Sequence, residues 1–311
     1  MRFLADVATS PLLRRALMEI VIVGALCGVV GSHVVLRRLP FASMALAHSA
    51  FPGVVAAHLA GLPLVVGSWG IAAATALSLA RLGGRSRIDT ASAAGVVLAG
   101  ASALGALLVA LGPPSQMDLS AYLVGSLLTV SPGDVVATVI GSLVICVVLA
   151  ALHKELTLGA FDPAAAAAIG YPVARLDAVV LVVVAVAVVT ATPAVGVILV
   201  VALLVAPAAA ARQWVSTVGA TMVLGALLGG ASGVAGLWVS HALDIAAGAA
   251  VVMVACVFYV VSLVAGGRLV AATPAATGSG PRGVRNRPTP AATDASPSAA
   301  RTAGPPSPAQ W

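Results

Sequence analysis

Apolar positions in this chain gather into long blocks and do not alternate with polar ones. Ala178 to Ala191 and Val195 to Ala211 are almost unbroken. Strands crossing a bilayer would show stretches of roughly ten residues alternating apolar and polar, so the blocks predict helices. A crossing helix needs about 20 mainly apolar residues. Nine segments approach that: 16–36, 41–60, 63–82, 90–112, 134–152, 177–191, 194–211, 215–240 and 244–265. The expected fold class is therefore all-α, a polytopic membrane protein of about eight to nine transmembrane helices. The short apolar piece 121–130 reads as a re-entrant half-helix. Pro52, in the second segment with His48 and His58, should break or kink its helix, which lipid tolerates only where protein covers the freed backbone groups. Gly225, Gly229 and Gly233 recur every four residues and predict a face that packs against a neighbouring backbone.

Composition agrees with a bilayer as the main solvent: 60% of the 311 residues are hydrophobic and 8% are charged. The net charge of +6 and the pI near 10.0 do not point to nucleic acid, because the basic residues are scattered through short loops and a tail. Threading the nine segments puts Arg37, Arg38, Arg81, Arg85, Arg87, Lys154, Arg175, Arg212 and Arg268 on one side, which should be cytoplasmic. The opposite loops, 61–63, 113–133, 192–193 and 241–243, have no Lys or Arg. Arg14 and Arg15 depart from that pattern, so residues 1–15 are expected to form an interfacial segment ahead of a membrane domain over 16–270. The stretch Ile20 to Leu36 is too long for a cleaved signal core and is expected to stay as the first span. Residues 271–311, rich in Pro, Ala, Ser and Thr, should be a disordered cytoplasmic tail with at most a weak attraction to lipid headgroups. Cys27, Cys146 and Cys256 have no paired spacing and read as packing residues.

The loop 153–177 contains a miniature helix. Asp162 suits an N-cap, Pro163 the first helical position, the alanine run propagates, and Gly170 supplies a left-handed stop before Pro172. This is either a knob that docks in a partner's groove or an interfacial amphipathic loop.

Several segments, in order, resemble the permease family of bacterial zinc and manganese ABC importers over roughly residues 14–268. GSHVVLRR (Gly31 to Arg38) is similar to the end of the family's first span, and AHSAFPG (Ala47 to Gly53) to its His-Ala-x-x-Pro-Gly segment. Asp118, Leu119, Tyr122, Leu123 and Gly125 follow. Phe161, Asp162, Ala166 and Gly170 resemble its coupling loop. Gly196, Leu199, Leu203, Leu204, Pro207 and Ala208 resemble its seventh span, and Gly236, Leu237, Ser240, Asp244 and Gly248 close the series.

The resemblance implies a core of two permeases (two copies, or this chain with a paralogue), a cytoplasmic ATPase gripping each coupling loop at Phe161, Asp162, Pro163 and Gly170, and an extracytoplasmic metal-binding protein. It implies a transported divalent metal and no resident cofactor. The chain has no G-x-x-x-x-G-K-[ST], and Lys154, its one lysine, lacks flanking phosphate-cradling glycines. It is therefore expected not to be an enzyme, with hydrolysis in a separate subunit.

In the family, an Asp stands four residues before the His of the second span. Met44 occupies that place here and His48 is retained, so a site poorer in hard oxygen is expected to favour zinc over manganese. Helical rise places Glu19 and His58 near one level at the outer mouth, where they join His48 and Met44 as metal-pathway candidates. His33, near Arg37 and Arg38, reads as interfacial. A secondary transporter would show inverted repeats and paired membrane carboxylates. An intramembrane metalloenzyme would show H-E-x-x-H spacing. Neither pattern is found. Siderophore or cobalamin permeases are the nearest alternative within the class.

Overall fold

The computed structural model describes residues 7, 9–62, 64–85, 90–111, 125, 127 and 130–272. Each of the nine apolar segments falls on a helix, and two short helices occupy the predicted loop. In chain order they are α1 (Pro11–Leu36), α2 (Pro40–Leu59), α3 (Leu64–Arg85), α4 (Thr90–Leu111), α5 (Pro132–Ala151), α6 (His153–Phe161), α7 (Pro163–Ala168), α8 (Val173–Val195), α9 (Val197–Arg212), α10 (Val218–Leu243) and α11 (Ala247–Ala272). Among the described residues there is no strand, and seven helices are long and apolar enough to cross a membrane. Most of the proposed re-entrant piece 121–130 and the tail from 273 lie outside the described residues.

The helices sort by packing into two groups. In one, α1 lies against α10 and α9, with α11 covering both. In the other, α2 is sandwiched between α3 and α4. α8 joins the groups by packing on α3, α2, α5 and α1. Outward faces of α4, α5 and α11 leave Val96, Leu107, Val136, Leu143, Met253 and Val260 more than half exposed. A bilayer solvates such faces where water would not.

Glycine sets the tightest crossing. Gly24 of α1 meets the Gly229 backbone of α10, Gly28 meets Gly225, and a Cβ on Gly233 would stand 3.0 Å from the Ile20 carbonyl oxygen. The predicted stripe on α10 thus has a matching Gly24-x-x-x-Gly28 on α1, and backbones approach where any side chain would separate them. Gly31, one turn further along α1, performs the same service against the Leu204 carbonyl of α9.

Two expectations about local structure are sharpened. The first helix begins at Pro11, capped by Ser10, and so takes in Arg14 and Arg15. It does not wait until residue 16. α2 runs uninterrupted through Pro52. Its freed backbone is accommodated because α3 and α4 cover that stretch, with Gly53 seated on Gly67 and Phe51 beside Gly105. The real break in the bundle is between α8 and α9, where Pro193 precedes Gly196 at φ +82°.

Candidate functional site

α2 presents one uncovered face. Met44 and His48 stand one turn apart, Met44 37% exposed and His48 half-buried, while Ala45, Leu46 and Ala47 between them are fully buried. The i, i+4 spacing puts thioether and imidazole on the same side. Pro52 has no N–H to give to the carbonyl of His48, four residues earlier, so that oxygen lacks its usual helical partner. The uncovered face therefore offers soft sulfur and borderline nitrogen within one turn. Among the described residues no group of three or more His, Cys, Asp or Glu side chains is placed to hold a metal ion. A cation at His48 would complete its shell from elsewhere.

Glu19 is not beside His58. It is fully buried on α1, and its Oε1 accepts a hydrogen bond from Thr138 Oγ1 of α5 at 2.7 Å, while Oε2 has no protein partner. His58 lies exposed near the end of α2, and α1 and α2 scarcely touch. Depth along a helix fixes level but not azimuth, and α1 turns this face to α5. His33 also departs from expectation. It is 1% exposed, and neither ring nitrogen is hydrogen-bonded to protein.

That loop folds as its punctuation predicts. Asp162 caps α7 by accepting from the Ala165 N–H at 2.8 Å, Pro163 occupies the first turn, and Gly170 has φ +98°. Phe161, Ile169 and Tyr171 are exposed apolar side chains on the knob. Two arginines hold it to the bundle. Arg212, at the end of α9, stacks its guanidinium 5.9 Å from the Phe161 ring centroid, a cation–π distance. Arg37, just past α1, pairs with Asp177 of α8 and donates from Nη2 to the Leu156 carbonyl of α6 at 3.0 Å. Burial pulls the Arg37 guanidinium below its ordinary pKa, and Asp177 pushes it back up. These contacts gather the ends of α1, α6, α8 and α9 at the Arg-rich end of the bundle. Sequence reading found the knob and missed both anchors, since Arg37 and Asp177 are 140 positions apart.

A model of the ABC 3 transport family matches residues 9–266. The chain belongs to that family. It is thus a multi-pass membrane permease component. The manganese transport system membrane protein MntC of Listeria monocytogenes is 32% identical over 262 residues, 84% of this chain and 93% of the relative. The manganese import system permease protein ScaB of Streptococcus gordonii is 28% identical, over 80% of this chain and 90% of the relative. Among solved structures, PsaBC from Streptococcus pneumoniae in complex with Fab superposes with a TM-score of 0.76 at 29% identity, covering 84% of this chain and 94% of that one. Both curated relatives are named for manganese.

Proposed function

We propose that this chain is the permease subunit of an ATP-driven importer of a divalent transition metal, with manganese as the first candidate cargo and zinc the second. The observation that carries the reading is the open α2 face with Met44 and His48 on a chain of the ABC 3 transport family. One consideration moves the preference from zinc toward manganese. Relatives of similar length carry that metal in their names. A path also needs weak ligation: a cargo must be held well enough to enter and loosely enough to leave.

In this reading the Arg-rich end faces the cytoplasm. A separate ATPase subunit docks on the knob around Phe161, Asp162 and Gly170, an extracytoplasmic protein delivers the metal, and a second permease faces α2 to close the path. The chain itself makes no covalent bond. Its work is to change which end of the α2 face is open. Co-expression with a partner ATPase subunit and metal-binding protein from the same organism, followed by uptake of manganese and zinc in competition, tests the proposal. Manganese accumulation that depends on ATP and is displaced by zinc only in excess supports it. Uptake of neither metal by the complete assembly overturns it.

A further inference from the structure

The Arg37 contacts suggest a role beyond holding the loop in place. The side chain leaves the end of α1 and reaches both limbs of the 153–177 loop, the α6 backbone at Leu156 on one side and Asp177 at the start of α8 on the other. The side chain of Arg37 is 7% exposed and that of Asp177 52%. The bond is thus anchored in protein at one partner and wet at the other. Breaking it re-solvates the carboxylate readily, whereas Arg37 would be left buried, so Arg37 must follow one limb or the other when they move apart. A cavity of about 210 Å³ adjoins the pair, lined by Leu39, Leu79, Thr90 and Leu181 as well as Arg37 and Asp177. The guanidinium therefore has space to shift toward α3 and α4. Gly159 places α6 beside the same guanidinium, since a Cβ there would lie in ordinary contact, 3.6 Å from Arg37 Nη2. On its other side Arg37 is continuous with α1, whose glycines lock it to α10 and α9.

We propose that Arg37 is a positioning residue that transmits movement of the ATPase-docking loop to α1 and, through it, to the α9–α10 half of the permease. The inference rests on the importer reading above. In the assembled complex, Arg37→Met removes both donors while keeping an unbranched, mainly apolar stem. Arg37→Lys keeps the charge but cannot reach Leu156 and Asp177 together. Asp177→Asn weakens one arm at a half-exposed position that folding tolerates.

With the ATPase subunit bound, Arg37→Met should leave basal ATP hydrolysis within about twofold. Stimulation by the metal-loaded binding protein, and metal moved per ATP, should fall about tenfold, within the usual range of coupling free energies. Arg37→Lys and Asp177→Asn should fall between. Full stimulation and uptake in Arg37→Met, with the wild type active, overturns the Arg37 role alone. So does equal loss of ATPase binding in all three variants, which marks a purely structural contact. A wild-type assembly that moves no metal overturns the importer reading and this inference with it.

Discussion

Glu19 of α1 accepts a hydrogen bond from Thr138 of α5 at 2.7 Å, and both residues are buried within the bundle. Both side chains are buried, so losing one partner leaves the other polar group unsatisfied inside the bundle. Thr138→Val should therefore destabilise the folded protein by about 1–3 kcal/mol, read as a lower unfolding temperature in detergent. Glu19→Gln keeps an acceptor for Thr138 and should cost less. A Thr138→Val protein as stable as the wild type would show that this bond does not hold α5 to α1.

The α1–α10 crossing depends on the absence of side chains at Gly24, Gly28, Gly225 and Gly229. Gly28→Leu forces a branched side chain into the Gly225 backbone, and overpacking of this kind costs about 1–3 kcal/mol or more. The expected outcome is loss of folded protein from the membrane. Gly100→Leu, where no atom lies within 4 Å of a built Cβ, should accumulate normally and serves as the matched control.

Gly170 has no atom within 4 Å of a built Cβ, so only its backbone conformation restricts substitution. A β-branched residue held at φ +98° is strained by about 1–2 kcal/mol, whereas Asn visits this region with less difficulty. Gly170→Val should reduce co-purification of the ATPase subunit and Gly170→Asn should retain most of it. Asp162→Ala, which strips the N-cap of α7, should act in the same direction as Gly170→Val. Equal recovery of the ATPase with all three would place the docking element elsewhere in the chain.

The spans were legible because a bilayer reads length and apolarity, properties carried by contiguous sequence. The knob was legible for a related reason: Asp162, Pro163 and Gly170 act on backbone within one or two turns of themselves. Relationships between distant helices were not. The stripe on α10 announced a close crossing, but nothing local identifies Gly24 and Gly28 as its counterpart. Glu19 and His58 were paired by depth alone, and the azimuth that turns Glu19 to Thr138 is set by the α1–α10 and α1–α9 crossings. His33 looked interfacial beside two arginines because its burial is set by elements distant in sequence. For the same reason Arg37 was read only as one of the charges on the Arg-rich side, and Asp177 drew no reading at all.

The central claim is that metal passes along the α2 face at His48. Uptake of radioactive manganese by the complete assembly carrying His48→Ala, alongside wild type and Met44→Asp, tests it most directly. The account predicts that His48→Ala lowers uptake about tenfold or more, as loss of a metal-site residue does, while ATPase binding and membrane levels stay unchanged. Met44→Asp, by restoring a hard ligand one turn away, should raise manganese relative to zinc. Wild-type uptake in the His48→Ala assembly would contradict the claim and place the path on another face of the bundle.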